Sequence, residues 1–138
     1  MNQRIFTVDE ANALLEQVTP LIEQLQSLRK SIIAAHEQLA EPVSHFQQGN
    51  GYPLRDVHGK LEELTKRQML LIEAFRSTMQ QLESLGAQLK DLDMGLIDFL
   101  GLRDGEPVLL CWKLGEDRIR FWHTLESGFA GRQPLDEA

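Results

Sequence analysis

Cysteine is the scarcest reactive residue in the chain, because Cys111 is the only one among 138 residues. A lone cysteine cannot form an internal disulfide, and it supplies too few soft ligands for a cysteine-based structural zinc site. A chain of this length can bury roughly two thirds of its unfolded surface in one core. We therefore predict a single domain, residues 1–138, that is stabilised by packing.

Long apolar runs are also missing. No segment approaches the about 20 apolar residues of a membrane-spanning helix. The first residues, MNQRIF, lack the charged start and apolar run of a secretory signal. We therefore expect a cytoplasmic protein with no membrane partner.

Basic residues are outnumbered, since 14 Lys and Arg residues face 21 Asp and Glu residues and the net charge is -7. Binding to a nucleic acid needs clustered positive charge, so we expect no nucleic-acid partner. The Walker A loop and the GxGxxG, GxSxG and HExxH motifs are absent as well. No cofactor is predicted, and no motif marks the chain as an enzyme.

The N-terminal half has apolar residues at steps of three and four, which is typical of a helix that faces a partner. Thr7 and Glu10 form a capping-box pattern, so the first helix is predicted over about 8–40. Pro20 removes a backbone donor and is expected to bend this helix. The predicted stripe contains Ala11, Leu14, Val18, Leu21, Leu25, Leu28, Ile32, Ala35 and Leu39.

Residues 41–53 contain two prolines and a Gly-Asn-Gly triplet and are predicted to form a loop. A second helix follows over about 54–86 and ends at Gly86, so the two helices form an antiparallel hairpin. Further apolar residues widen both stripes beyond a coiled-coil seam. We expect a homodimer in which a second copy covers them, and a monomer whose sheet covers them is the alternative. The second stripe contains Leu54, Val57, Leu61, Leu64, Gln68, Leu71, Phe75, Thr78, Leu82 and Leu85, and the further apolar residues are Leu15, Ile22, Ile33, Met69, Ile72 and Met79.

After Leu89 the apolar residues alternate with a period of two, which predicts strands. Three runs, at about 96–102, 107–113 and 118–123, are predicted to form an antiparallel meander. Asp104-Gly105 is a two-residue hairpin signal between the first two. The predicted fold class is α+β, a helical hairpin followed by a meander, with a C-terminal tail at 124–138.

The predicted register decides which side chains of the meander share a face. With short links on both sides of the middle strand, Asp98 lies opposite Cys111 and Cys111 lies opposite Arg120, with Trp122 in the neighbouring row. His123 is then predicted to point to the other face, toward the helices, as a core histidine. A Cys-His nucleophile pair or a shared metal site is therefore not expected.

The face that carries Asp98, Cys111, Arg120 and Trp122 has two interpretations. One is an exposed ion pair above a small buried thiol. The other is a recognition surface, because an arginine makes a neighbouring thiol more reactive and because Arg and Trp are common interface anchors. Arg132 in the tail is a further candidate, which would bind a carboxylate or phosphate if the tail folds over the sheet. A free C-terminal tail is the simpler interpretation.

A second candidate site lies at the flank of the helical hairpin. Around the 41–53 loop His36 lies level with His58, and Glu62 follows His58 by one turn. Glu37 and His45 are close in the chain, so imidazoles and carboxylates can converge on a divalent metal. Two solvated histidines are the simpler interpretation, and no metal is predicted there.

Four motifs near the two ends of the chain are distinctive: FTVDEANALL at 6–15, GLIDF at 95–99, LCWKLGE at 110–116, and RFWH followed by GFAGRQPL over 120–135. With these motifs the chain resembles a bacterial family known only as the domain of unknown function 2203 family. The resemblance implies no activity, substrate or cofactor. It implies only that any site lies in the meander and tail, where the motifs carry Asp98, Cys111, Trp112, Glu116, Trp122, His123 and Arg132.

The sequence thus favours a non-catalytic, self-associating binding module whose outer sheet face meets an unidentified protein or small molecule. The alternative is a small-molecule or metal-dependent activity, either on that face or at His36 and His58.

Overall fold

The computed structural model describes the backbone of residues 4–47 and 54–135 and the side chains of residues 4–40 and 57–135. Three α-helices come first: α1 at Val8–Ala13, α2 at Leu15–Gln47 and α3 at Leu54–Ser84. Strands β1 at Gln88–Asp91, β2 at Leu96–Arg103, β3 at Glu106–Lys113, β4 at Phe121–His123 and β5 at Gln133–Pro134 follow, with a short 3-10 helix at Phe129–Gly131 between the last two. The predicted α+β class, a helical hairpin followed by an antiparallel meander, is confirmed. Among the described residues no helix is long and apolar enough to cross a membrane.

Contacts divide the chain into two compact units, one made of Met1–Gln24 with Met79–Ala138, the other of Leu25–Thr78. The second unit contains α2 from Leu25 onward and α3 as far as Thr78. Among its residues with described side chains, the buried ones all belong to the predicted stripes: Leu25, Ala35, Val57, Leu64 and Thr78. Within this unit the three-and-four spacing therefore identified the side chains that the helices bury.

The start of the helical region follows its capping signal. The Thr7 hydroxyl accepts from the Glu10 N–H at 3.0 Å, and the Glu10 carboxylate accepts from the Thr7 N–H at 2.8 Å. The helix is interrupted at Leu14, whose N–H bonds the Ala11 carbonyl at a tighter three-residue spacing. α2 then runs through Pro20 and continues to Gln47, so the predicted loop begins later than expected. Residues 48–53 of that loop lie outside the described residues.

The end of α3 brings the chain back to the N-terminal segment. Gly86 has a φ of 93°, as expected for the residue after a helix end. A Cβ there would lie 2.3 Å from Cζ of Phe6, so the position also needs the missing side chain. Leu15 and Ile22 were expected to widen an uncovered stripe. Both are buried, and both belong to the unit made of Met1–Gln24 with Met79–Ala138.

Within the described residues the sheet has the order β1-β2-β3-β4-β5, and all neighbours are antiparallel. The predicted turn joins β2 and β3, with φ values of 53° at Asp104 and 79° at Gly105, both in the range of a type I′ turn. The predicted pairing of Asp98 with Cys111 is confirmed. β1 and β5 were not predicted, because four and two residues are too few to show an alternating pattern.

One face of the sheet packs against the N-terminal segment and α2. Phe6 contacts Phe99 edge to face, with ring centroids 5.0 Å apart, and its N–H donates to the Leu100 carbonyl. A Cβ added at Gly95 would contact Ile22 of α2. Ile97, Leu110 and Trp112 share this face with Phe99 and are buried. The opposite face of β2 and β3 carries Asp98 and Cys111, and it is called the outer face below.

Candidate metal centre

The register of β4 differs from the prediction by one residue. Cys111 lies opposite Phe121, not Arg120, and Leu109 lies opposite His123, not Trp122. Side chains alternate along a strand, so a shift of one residue moves each of them to the other face. His123 therefore lies on the outer face, and the prediction that it and Cys111 point to opposite sides of the sheet is wrong.

The shift arises in the segment between β3 and β4, which is not a short hairpin link. β4 begins only at Phe121, so the strand predicted from 118 is shorter at its start. The Glu116 side chain accepts from the Lys113 N–H at 2.8 Å, and Asn12 of α1 accepts from the Ile119 N–H at 2.7 Å. These side chains satisfy backbone groups that a ladder would otherwise pair, and the strand pairing starts later.

Asp98, Cys111 and His123 form a compact polar cluster on the outer face. Each offers one ligand atom, and these atoms all lie within 4.8 Å of one another. The residues are 1%, 0% and 3% exposed, respectively. The His123 Nε2 atom lies 3.1 Å from both carboxylate oxygens of Asp98. Carboxylate, thiol and imidazole are three groups that bind metals in proteins, and here they converge in a site shielded from water.

A backbone contact determines which ring nitrogen of His123 faces the cluster. Nδ1 lies 2.8 Å from the Thr124 carbonyl oxygen. A carbonyl oxygen only accepts, so Nδ1 carries a proton and donates it. Metal-binding histidines in proteins commonly donate their second ring N–H to a carbonyl or carboxylate in this way. Nε2 is thereby directed at Asp98 and Cys111.

Burial controls the ionisation of the cluster in the absence of a metal. Burial raises the pKa of the Asp98 carboxyl above its usual range, against the opposing charge of His123 and its hydrogen bond. Burial, with the charge of Asp98 as a smaller cause, raises the pKa of the Cys111 thiol to about 12. A thiol in this state is a poor free nucleophile. The thiolate form therefore needs a cation beside it, which a bound metal supplies.

Arg132 lies on the outer face beside the cluster. Its guanidinium carbon is 3.9 Å from the ring centroid of Phe121, the residue opposite Cys111, and 4.7 Å from that of Phe129. Its Nη2 atom donates to both carboxylate oxygens of Glu116, at 3.0 and 3.1 Å. The tail thus folds onto the sheet, and the simpler interpretation of a free C-terminal tail is wrong.

The other two predicted residues of the outer face are elsewhere. Arg120 precedes β4 and pairs with Asp117, at 3.0 and 2.9 Å, on the exposed surface. Trp122 lies on the face of Trp112, and the Arg103 guanidinium carbon is 4.9 Å from its ring centroid. The structure therefore brings Asp98, Cys111 and Arg132 to one region and does not bring Arg120 and Trp122 there.

The helix-flank residues His36, His58 and Glu62 are all exposed. His45 lies among the residues whose side chains are not described. In the described part of the chain, Asp98, Cys111 and His123 are the one group of three close metal-ligating side chains, and the flank residues are not among them.

His123 is the member of the cluster that reasoning from the sequence assigned to the core. The residue type itself was a signal that His123 has a polar neighbour, because a histidine at the end of a strand needs a polar partner when it is buried. Asp98 is that partner in the observed register.

Comparison with known proteins places the chain in a family without giving it an activity. No curated protein and no solved structure matches the chain. The sequence profile of DUF2203, described as "Uncharacterized conserved protein", matches residues 4–135, nearly the whole chain. The four motifs and the profile agree, and the protein belongs to the DUF2203 family.

Proposed function

We propose that this protein binds a divalent transition metal ion at Asp98, Cys111 and His123, and that its function depends on that metal. The observation that supports the proposal is the convergence of three different ligand types on one buried point, with ligand atoms within 4.8 Å of one another. This arrangement favours the metal-dependent alternative over the non-catalytic binding module.

The ligand set favours zinc among the common metals. Thiolate is a soft ligand, carboxylate a hard one and imidazole intermediate, and zinc accepts all three in tetrahedral sites. The thiolate and carboxylate charges together balance the charge of a divalent ion, which lowers the cost of placing that ion in a buried site. Three protein ligands leave a fourth position for water or substrate, the arrangement of catalytic rather than structural zinc sites.

We further propose a cytoplasmic location. The reducing environment there keeps a thiol available for a metal. Cys111 has no second cysteine with which it can form an internal disulfide.

Metal analysis of the untagged protein tests the site. We expect about one equivalent of metal per chain in the wild type, the stoichiometry of a single site. Cys111→Ser, Asp98→Asn and His123→Gln should each lower the affinity for zinc. The double variant His36→Gln/His58→Gln is the matched control, because it removes two imidazoles from the exposed helix flank and should keep the metal. Failure of the refolded wild type to bind zinc, cobalt, iron or copper at micromolar concentration would refute the proposal, and loss of metal from the control would move the site to the helix flank.

A second candidate function, self-association through the helices, is supported by apolar side chains on the Leu25–Thr78 unit. Met69 is 64% exposed and Leu70 is 72% exposed, and Ile33 and Ile72 are exposed as well. A second copy of the chain that packs on these residues would remove them from water.

Sedimentation analysis tests this candidate. We expect a dimer in the wild type and a monomer in Leu70→Glu, because a buried charge would oppose the interface. Leu102→Glu is the control, since Leu102 is an exposed leucine outside that unit. A wild type that sediments as a monomer at about 100 μM, a concentration far above the Kd of a stable interface, contradicts the proposal.

A further inference from the structure

The metal-ligating cluster is buried although it lies on the face away from the N-terminal segment and α2. Asp98, Cys111 and His123 point to the side opposite Phe99 and Trp112, which pack toward the helices. A metal ion or substrate that reaches the cluster therefore has to pass whatever covers the outer face.

Residues 124–135, called the strap below, return over this face after β4. The strap begins with a turn in which Thr124 and Ser127 each accept from the other's N–H, at 3.0 and 3.2 Å. It continues through the 3-10 helix Phe129–Gly131 and ends in β5, where Pro134 pairs with Phe121. Extending the β4–β5 register by one residue places Arg132 level with His123.

Contacts of the strap with the outer face concentrate at Arg132 and Phe129. The Arg132 guanidinium lies over both the Phe121 and the Phe129 rings, and the Lys113 Nζ atom is 6.0 Å from the Phe129 ring centroid. Lys113 and Phe121 are both on the outer face next to Cys111, Lys113 two residues along β3 and Phe121 opposite Cys111 on β4. The strap residues therefore cover the sheet next to the thiol.

One ion pair joins the strap to the segment between β3 and β4. Arg132 and Glu116 are 15% and 19% exposed, and both oxygens of Glu116 accept from Arg132. Glu116 is itself held by the Lys113 N–H, and the Trp112 indole donates to the Glu116 carbonyl at 3.0 Å. The Arg132 Nε atom is buried and has no hydrogen-bond partner among the described residues. Glu116 is thus firmly positioned by these two hydrogen bonds, whereas Arg132 is attached mainly through its Nη2 atom and its contacts with the two rings.

We propose that the strap is a gate over the cluster and that the Glu116–Arg132 pair holds it closed. Opening separates this pair and lifts Phe129 and Arg132 from the outer face, while the ladder of β2 and β3 stays paired. The function of the gate in metal exchange rests on the metal site proposed above, whereas its effect on access to the Cys111 thiol does not.

Thiol labelling measures the opening when rates are compared at equal thiolate fraction, because Cys111 is the only cysteine and the charges of Glu116 and Arg132 also act on the pKa of its thiol. Metal-free protein is mixed with an aromatic disulfide reagent, whose exchange with the Cys111 thiolate forms a mixed disulfide and releases one coloured aromatic thiolate. We expect Glu116→Gln to label on the order of ten-fold faster than the wild type, because the amide keeps an acceptor for Lys113 and removes the charge that holds Arg132. Arg132→Lys should label faster as well, since lysine keeps the charge but loses the planar contacts with the rings.

Asp117→Asn is the matched control. It makes the same acid-to-amide change at the neighbouring residue, in an exposed pair with Arg120 that does not include the strap. It should label at the wild-type rate. The rate in Glu116→Gln should also be insensitive to low urea, because local opening exposes little surface.

Three results would overturn the gate. They are equal labelling of Glu116→Gln and wild type, equal acceleration by Asp117→Asn, and labelling that rises steeply with low urea as global unfolding does. Cobalt association, followed by the thiolate-to-cobalt absorbance, completes the test: faster association in Glu116→Gln supports the gate, and equal association rates contradict its function in metal exchange. A wild type that binds no cobalt or zinc, with faster labelling in Glu116→Gln, refutes the metal site and supports the strap.

Discussion

Removal of the Asp98 carboxylate is the sharpest test of the cluster as the structure shows it. Asp98 is 1% exposed, and both its oxygens lie 3.1 Å from Nε2 of His123, which is itself buried. Removing one partner of a buried hydrogen-bonded pair costs about 1–3 kcal/mol, and more when the group left behind is charged, because that group is left unpaired away from water. Total stabilities of domains are only about 5–15 kcal/mol. We therefore expect Asp98→Ala to lose a large fraction of the free energy of unfolding.

The assay is urea unfolding of metal-free protein in a chelator, followed by circular dichroism. Asp98→Asn should be milder than Asp98→Ala, because its amide can donate to Nε2 while Nδ1 of His123 still donates to Thr124. Asp117→Ala is the control for an exposed carboxylate and should change stability little. A loss below about 1 kcal/mol for Asp98→Ala, the range of an exposed pair, would refute the buried pairing.

Added zinc extends this prediction. A ligand that binds only the folded state stabilises it by about 2.7 kcal/mol at one hundred times its Kd. We expect this increment in the wild type and little of it in Asp98→Ala. An equal zinc increment in both proteins would show that Asp98 is not a ligand.

Three further predictions concern the frame around the site. Trp112→Ala should lower the free energy of unfolding by about 3–5 kcal/mol, because removing a side chain that is only 2% exposed leaves a cavity. Arg120→Ala should change it little. Chemical denaturation of both variants checks this, and the reverse order would contradict the assignment of Trp112 to the face that packs toward the helices. Thr7→Ala should cost about 1 kcal/mol by loss of the helix cap, with Thr7→Ser as the conservative control in thermal melts. Asn12→Ala should cost about 1–3 kcal/mol by leaving the Ile119 N–H without its acceptor. Asn12→Asp keeps that acceptor and should be milder in the same melts, and equal losses would contradict the assignment.

The features that the sequence predicts well are those whose causes lie within a few residues. The capping box of Thr7 and Glu10 and the Asp104-Gly105 turn involve neighbouring residues, and both are present. The turn also sets the β2–β3 register, because a two-residue link leaves no freedom to shift the pairing. The helix stripes identify buried positions for the same reason, since their period follows from the helix itself.

Burial on both sides of Pro20 supports the continuity of α2 through this residue. Val18 and Ile22 flank Pro20 in the chain and are both fully buried. The packing of these residues compensates for the one backbone donor that a proline removes. The helix therefore passes Pro20, as the predicted span of about 8–40 requires.

The register of β4 depends on residues far apart in sequence. The Ile119 N–H binds Asn12, 107 positions away, and Glu116 folds back on Lys113. These bonds lengthen the irregular segment before β4, and no spacing rule within residues 114–120 indicates them. The prediction of a short link placed each side chain of β4 one position out of register.

Hydrophobicity alone does not decide between the two registers of β4. One register turns Phe121 toward the helices and the other turns Trp122 there, so an apolar ring faces the helices in either case. The polar neighbour distinguishes them. In the predicted register His123 would lie among Val108, Leu110 and other apolar side chains, and an unpaired buried imidazole costs about 1–3 kcal/mol. In the observed register both of its nitrogens have partners, Asp98 and the Thr124 carbonyl. Accounting for the hydrogen bonds of the one histidine in the strand selects the observed pairing, and that pairing is what assembles the metal-ligating cluster.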